Sequence, residues 1–405
     1  MPSRARLVLF IALAAPTVLA SYANAVDGEA LPVAQYDVMF DREFLYNVPK
    51  GPLKGIIFAF PGCEQFPTEW GFPSRRCPLC SGLPEEMQIV AAAVQRQYAV
   101  VTVGQHLSGE ADRCWQKTWP PEAGIEIPEL KRAIRHILEE RSWWRLPRYF
   151  VGSSSGGAAA LLFATRFPVQ AVASMLMGFK PDAIIEEEQL ISKNVDETEG
   201  VVLTWPYPPV LILEAQNDRD LYKERIQRTL QYMREQGSPV EHLVMEPYPF
   251  EPSTFSEVFR DIDPALSADI YEDLQAAGII NATGFSDYPC DQPEEIMAPK
   301  RDSLHPVMLK HFSHKLGRKG PLDDGYMRAF PEIFYASQAN HEIRGREMND
   351  IIDFFERAGV PDLQRISGSM HDLVRQPDSA AEVLLHRTGH LPGRAWQSGK
   401  HLPAV

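Results

Sequence analysis

The stretch Arg148-Tyr149-Phe150-Val151-Gly152-Ser153-Ser154-Ser155-Gly156-Gly157-Ala158-Ala159-Ala160 joins a short apolar run, a serine and glycine turn, and an alanine-rich segment. This order is typical of a nucleophile elbow, in which a serine on a tight strand-to-helix turn stands clear of the backbone. Gly152 and Gly156 leave room for the turn, and the following helix directs its N-terminal amides to the same point. Ser154 is therefore the candidate nucleophile, although an ordinary Ser/Gly loop would show the same residues.

Strand and helix patterns alternate along most of the chain. Continuous apolar runs predict buried strands, and amphipathic or alanine-rich segments predict helices between them. The predicted strands are 36–48 (a pair of edge strands), 55–60, 98–103, 148–152, 170–177, 209–215 and 240–247, and the predicted helices begin near 84, 124, 155, 221 and 346. This alternation predicts an α/β fold with a mainly parallel sheet, whose reactive groups gather where the strands end.

An acid and a base follow the serine in chain order. Asp218 lies in the loop after the strand 209–215 and is the first choice for orienting a histidine, with Asp220 as the second. A helix N-cap is the alternative role for an acid at this position. His341 lies in a loop before a strongly amphipathic helix and is the candidate general base, and His371 is its competitor. The order Ser, Asp, His is the order expected for a catalytic triad on this type of sheet.

The turn after the strand 55–60 is the candidate oxyanion site. It reads Pro61-Gly62-Cys63, and the backbone amides of Cys63 and Ser155 would receive the negative charge of a tetrahedral intermediate. A plain glycine turn after a strand is the alternative. The histidines show no spacing typical of zinc, so we expect neither a metal nor an organic cofactor.

Charge and the N-terminus limit the partners and the compartment. The 405 residues carry a net charge of −14, which disfavours binding to nucleic acid or anionic lipid. Residues 1–25 combine a basic start, an apolar run too short to span a bilayer and a small-x-small end, as in a secretory signal peptide. We therefore expect a protein without a membrane span after cleavage, in a secretory or periplasmic compartment.

The cysteines fit that compartment, because disulfides persist in oxidising surroundings. Four of the five cysteines lie between positions 63 and 114, which allows three pairings. A Cys63–Cys114 bond would fix the candidate oxyanion loop and leave Cys77 to pair with Cys80 across a short loop. The Cys77-Pro78-Leu79-Cys80 spacing also occurs in redox and zinc sites, and Cys290 has no obvious partner.

Several of these segments resemble a known superfamily. Gly62-Cys63-Glu64-Gln65, Cys114-Trp115 and Gly152-Ser153-Ser154-Ser155-Gly156-Gly157 resemble segments of polyhydroxybutyrate depolymerase-like and feruloyl-esterase-like serine hydrolases. The order of motifs from Pro61 to Ala339-Asn340-His341-Glu342 resembles a group of α/β-hydrolase proteins of plants and algae. Chains in that group end soon after the helix matching 344–358, so the resemblance favours His341 over His371 as the base.

The residues and the resemblance together predict an α/β-hydrolase fold, a mainly parallel central sheet flanked by helices, with a helical cap insertion. The expected organisation is a signal peptide (1–25), a core (26–247), a cap or lid (248–335), a core completion with the histidine and last helix (336–360), and a C-terminal extension (361–405). The expected function is a secreted serine hydrolase acting on a small-molecule or polymeric carboxylic ester. The alternatives are a serine peptidase or thioesterase, and a non-catalytic binding protein on the same fold.

Overall fold

A computed structural model describes residues 31–107, 113–115, 126–165, 167–179, 207–289, 294–316 and 321–358. The strands are β1 (Gln35–Met39), β2 (Arg42–Asn47), β3 (Gly55–Phe60), β4 (Tyr98–His106), β5 (Arg148–Ser153), β6 (Ala171–Met175), β7 (Val210–Ala215) and β8 (Val240–Met245). They form one sheet in the order β1-β2-β4-β3-β5-β6-β7-β8. Only the β1–β2 and β2–β4 pairs are antiparallel, and the other pairs are parallel.

Helices lie between the strands in sequence and cover both faces of this sheet, and further helices come after the last strand. They are α1 (Pro84–Gln95), α2 (Glu126–Glu140), α3 (Ser155–Phe163), α4 (Asp220–Glu235), α5 (Thr254–Val258), α6 (Pro264–Ala276), α7 (Glu294–Leu316), α8 (Pro321–Ser337) and α9 (Met348–Ala358), with a 3-10 turn at Pro67–Trp70. The predicted α/β-hydrolase fold, with its mainly parallel sheet between helices, is confirmed.

Strand β5 shows how the sequence divides the core. Tyr149 and Val151 point to one face, where α1 and α9 pack, and Phe150 points to the other, where α2, α3 and α4 pack. Because successive side chains of a strand alternate between faces, an apolar run without polar interruptions predicts a strand buried on both sides. All six residues of β5 are buried. The strand therefore holds the turn at its end in the middle of the molecule.

One detail of the predicted sheet is wrong. Residues 36–48 were expected to form two edge strands, but only β1 lies at the edge, since β2 pairs with both β1 and β4. Strand β4 is nine residues long and extends to His106, so β2 can pair along the side of β4 that β3 does not occupy. The apolar residues Phe44, Leu45 and Tyr46 of β2 are buried by this pairing. The strand at the other edge is β8.

Helices α5 to α8 follow the last strand and form a hydrophobic cluster of their own, centred on Phe250, Phe255, Phe312, Phe330 and Phe334. The proline-rich sequence predicts only short helical pieces here, yet α7 runs for 23 residues with Pro299 and Pro306 inside it, and α8 for 17 with Pro331. Burial of large apolar side chains against a tertiary core stabilises helices that intrinsic propensity disfavours. No helix in the described ranges has the length and apolarity needed to cross a membrane.

Several predictions fall outside the described residues. These are the signal peptide at 1–25, the extension at 361–405 with His371, and Cys290.

Candidate active site

Ser154 occupies the turn between β5 and α3 in a strained backbone conformation. Its φ and ψ are 50° and −122°, a region that side chains other than glycine rarely adopt. A Cβ added to Gly156 would lie 2.1 Å from the Phe60 carbonyl oxygen, and one added to Gly152 would lie 2.3 Å from the Gly156 carbonyl oxygen. The two glycines therefore permit the close packing that holds Ser154 at the end of the sheet.

Ser154, His341 and Asp218 form a continuous hydrogen-bonded series. The His341 Nε2 atom lies 2.8 Å from Ser154 Oγ, and His341 Nδ1 lies 2.7 Å from Asp218 Oδ2. The Asp218 side chain is fully buried, and the His341 side chain is 16% exposed. The buried carboxylate fixes Nδ1 as the protonated ring nitrogen, which leaves Nε2 free to accept the serine proton.

Neighbouring residues hold the histidine and its loop. The Asn217 backbone N–H donates to the Ala339 carbonyl oxygen at 2.9 Å, which joins the loop of the acid to the loop of the base. The Tyr222 ring stacks on the His341 imidazole, with centroids 4.2 Å apart. Asp220, the second candidate acid, lies exposed in the first turn of α4, 3.6 Å from the Lys223 ammonium. The structure therefore places Asp218, and not Asp220, beside the imidazole.

The candidate oxyanion loop is fixed on several sides. Cys63 and Cys114 are joined by a disulfide, and the Trp115 indole N–H donates to the Pro61 carbonyl oxygen at 2.8 Å. The Gln105 amide donates to the Gly62 carbonyl oxygen at 2.7 Å. Ser155 Oγ lies 3.3 Å from Cys63 Sγ, so the two residues predicted to supply oxyanion amides are adjacent.

The second cysteine pair is also a disulfide. Cys77 and Cys80 are bonded to each other beside the 3-10 turn, and both residues are buried. Within the described ranges, no three His, Cys, Asp or Glu side chains are grouped as a bound metal ion would require.

A cavity of about 720 Å³ opens above Ser154. Its floor carries Ser154 and His341, and its walls come from the oxyanion loop, α1, α4, the loop after His341 and helix α8. Four α8 residues, Arg328, Pro331, Glu332 and Tyr335, line it, so part of its wall comes from the helical segment after the sheet. This volume is in the range typical of small-molecule sites.

Carboxyl groups crowd one wall of the cavity. Glu86, Glu332 and Glu342 line it, and burial raises the pKa of Glu342 to about 8 and the pKa values of Glu86 and Glu332 well above the ordinary range. Repulsion by the neighbouring Glu86 carboxylate adds to the effect of burial in raising the pKa of Glu332. Arg328 forms an ion pair with the buried Glu69 at the edge of this group.

Several residues of this site are not identified by sequence reasoning alone. Tyr222 stacks on His341, and Gln65 and Glu342 line the cavity beside Ser154 and His341, yet each is a common residue type in a loop or helix. The only available signal is the position of Gln65 and Glu342 inside the motifs Gly62-Cys63-Glu64-Gln65 and Ala339-Asn340-His341-Glu342.

The buried Glu85 predicts a pH-dependent stability. It is 1% exposed and accepts a hydrogen bond from the Gly345 backbone N–H at 2.8 Å, and burial raises its pKa to about 7 from an ordinary value of 4.5. The unfolded chain therefore releases this proton first, and the contribution of Glu85 to stability is lost as the pH rises from about 4.5 to about 7. We expect Glu85→Gln, which stays neutral, to gain about 1–3 kcal/mol over the native protein at pH 8 and almost nothing at pH 4.

Urea unfolding at pH 4 to 8 measures this difference. Glu272→Gln, at an exposed position of α6, is the matched control and should follow the native curve at every pH. Parallel curves for Glu85→Gln and the native protein would contradict the assignment.

Comparisons with known proteins find similarity among solved structures. No protein-family model and no curated protein matches the chain. A thermostable esterase is 12% identical over 52% of this chain and 54% of its own, with a TM-score of 0.34, so the chain spans about half the length of that esterase. An α-β serine hydrolase homologue from Coxiella burnetii is 17% identical over 50% of this chain and 81% of its own, with a TM-score of 0.34.

A soluble variant of monoglyceride lipase from Saccharomyces cerevisiae, solved with a substrate analogue, is 11% identical over 54% of this chain and 87% of its own, with a TM-score of 0.34. The strand order and the parallel pairing of the chain itself define it as an α/β-hydrolase fold. A fold hosts many activities, so the chemistry has to come from the geometry of the site.

Proposed function

We propose that this protein is a serine hydrolase of carboxylic esters. The observation that carries the proposal is the series Ser154–His341–Asp218, with both hydrogen bonds at 2.7–2.8 Å and the acid buried. A serine that is hydrogen-bonded to a base, which is in turn oriented by a third group, is the general arrangement of an activated nucleophile.

In the acylation half of the reaction, Ser154 Oγ attacks the ester carbonyl carbon and His341 Nε2 accepts the hydroxyl proton. The carbonyl oxygen becomes an oxyanion, which the backbone amides of Cys63 and Ser155 receive. Asp218 holds the imidazolium that forms. When the tetrahedral intermediate breaks down, His341 returns the proton to the departing alcohol, and the acyl group remains on Ser154.

In the deacylation half, water replaces the alcohol. His341 removes a proton from water, the resulting oxygen nucleophile attacks the acyl carbon, and the same two amides receive the second oxyanion. The intermediate then releases the carboxylic acid as Ser154 recovers its proton from His341. The five participating groups, three side chains and two backbone amides, complete this cycle without a metal or an organic cofactor.

The cavity supports a small-molecule ester or the end of a polymeric one as substrate. Its volume of about 720 Å³ accommodates an acyl group and an alcohol of moderate size. Residues of α8 form part of its wall, so we propose that helices α5 to α8 act as the cap and set substrate access.

A panel of short-chain esters, cinnamoyl esters and polyester films tests this function. We expect hydrolysis of at least one class, with release of one alcohol and one acid for each bond cleaved. Thioesters and peptides pass through the same type of intermediate and belong in the panel as the competing classes. A folded protein that cleaves none of these would support a non-catalytic binding role instead.

We also propose that the protein is secreted with residues 1–25 removed. The two disulfides suit an oxidising compartment, where such bonds persist. Intact mass measurement of the exported protein is expected to give a chain that begins at Val26. A chain retained inside the cell with residue 1 still present would contradict this.

A further inference from the structure

The Gln65 side chain forms hydrogen bonds to three segments around Ser154, namely its own loop, the end of β5 and the loop of His341. The Gly62 backbone N–H donates to Gln65 Oε1 at 2.6 Å, and the Ser153 hydroxyl donates to the same oxygen at 3.1 Å. Gln65 Nε2 in turn donates to Glu342 Oε1 at 3.4 Å. A backbone N–H can only donate, so the Gly62 contact fixes which end of the side-chain amide is the oxygen.

Each partner of Gln65 is the chain neighbour of a proposed active-site residue. Gly62 precedes Cys63, which offers an oxyanion amide, Ser153 precedes the nucleophile, and Glu342 follows the base. One side-chain amide therefore spans the loops that carry all three functions. Gln65 lines the cavity itself, beside Ser153 and Glu342.

We propose that Gln65 is a positioning residue that holds the oxyanion loop, the nucleophile turn and the histidine loop in register through its side-chain amide. This inference rests on the proposed serine hydrolase function. An oxyanion amide contributes only when it is aimed at the developing charge, and a misplacement of about 1 Å can cost about 100-fold in rate. Gln65 acts on the rate through the groups that it joins.

Removing the side-chain amide tests whether Gln65 contributes to the rate. Gln65→Leu leaves the Gly62 N–H and the Ser153 hydroxyl without their acceptor, so we expect kcat for an ester to fall about 30- to 100-fold while KM changes less than about threefold. The matched control is Gln231→Leu at an exposed position of α4, where the glutamine contacts only Glu235. The control should keep native kinetics.

A carboxylate at position 65 separates positioning from simple loss of packing. Gln65→Glu keeps the acceptor for Gly62 and Ser153 and places a second oxygen against Glu342. Burial raises the pKa of Glu342 to about 8, so below that pH its neutral carboxyl can donate the proton that the link needs, and above it the two carboxylates repel. The charged groups facing Glu342 in this wall are Glu69, Glu85, Glu86, Glu332 and Arg328.

The double variant Gln65→Glu with Glu342→Gln reverses the donor and the acceptor. The new glutamine can donate its amide to the new glutamate at every pH, but it loses the Ile343 backbone N–H contact, because both contacts use Glu342 Oε1 in the native protein. We therefore expect Gln65→Glu to approach native rates at pH 6 and to fall about tenfold or more below them at pH 9. The double variant should recover part of that loss at pH 9.

The rate of Ser154 modification by a fluorophosphonate is the readout that needs no knowledge of the substrate. Each variant rate is divided by the native rate at the same pH, and thermal unfolding checks that each variant is folded. A native protein that is not labelled would overturn both the proposed function and this inference. Two results would overturn the inference alone. One is labelling of Gln65→Leu at the native rate, and the other is a double variant that is labelled no faster than Gln65→Glu at pH 9.

Discussion

Replacement of Ser154 by alanine is expected to lower kcat for ester hydrolysis by about 10⁵- to 10⁶-fold. The alanine variant has no hydroxyl to form the acyl-enzyme, and His341 then has only water to activate. Ser154 Oγ lies 2.8 Å from the His341 Nε2 atom, and no other hydroxyl among the described residues is hydrogen-bonded to this nitrogen. The fold should persist, because the variant removes one oxygen from a position at the cavity floor.

Steady-state hydrolysis of the best ester in the panel measures this loss. Ser303→Ala on α7, where the hydroxyl only contacts the Pro299 carbonyl oxygen, is the control and should keep native activity. A folded Ser154→Ala protein with more than about one hundredth of native kcat would contradict the role given to this serine.

The second large effect is expected at the base. His341→Ala should reduce kcat by about 10⁵-fold or more, because the serine loses its proton acceptor and the leaving alcohol loses its proton donor. The loss should be similar to that of Ser154→Ala, and the two substitutions together should be little worse than either, since the residues act as a unit.

His371→Ala is the matched control for the base. Both histidines are candidates from the sequence, but the structure puts His341 between Ser154 and Asp218. We expect His371→Ala to retain at least half of native kcat. Full inactivation by His371→Ala together with an active His341→Ala variant would reverse the assignment of the base.

The fold was readable from the sequence because its main signals are local. Apolar runs such as Gly55–Phe60 and Val210–Ala215 are long enough to predict buried strands, and the glycines around Ser154 predict a tight turn. The position of β2 was not readable, since an edge strand and an inner antiparallel strand share the same alternating pattern. Whether β2 lies at the edge or inside the sheet depends on its pairing with β4, which lies more than fifty residues further along the chain.

The choice between His341 and His371 as the base was likewise not decided by the local sequence. Parallel strands bring their carboxyl ends together, which is why Ser154 and Asp218 could be predicted as neighbours. The loop of His341 reaches them only after helices α5 to α8, and nothing in the local sequence at 341 or 371 fixes where that segment returns. In the structure the loop of His341 is joined to the loop of Asp218 by a tertiary contact, the Asn217 N–H to the Ala339 carbonyl oxygen.

The buried carboxyl wall is the feature that local reasoning describes least well. Glu85 and Glu86 begin a helix, where acidic residues usually face water and complement the helix dipole. Here α8 packs over them, and Glu332 Oε1 accepts a hydrogen bond from the Glu85 backbone N–H at 3.2 Å. The acids are therefore buried by a helix more than two hundred residues away in the chain, which no window of sequence can indicate.

The most direct test of the account is the site at which a fluorophosphonate reacts. The Ser154 oxygen should bond to phosphorus as fluoride leaves, giving one adduct per chain, and peptide mapping should place it on Ser154. Labelling should disappear in Ser154→Ala and fall steeply in His341→Ala. A folded native protein without an adduct, or with its adduct on Ser153 or Ser155, would contradict the claim that His341 and Asp218 activate this serine.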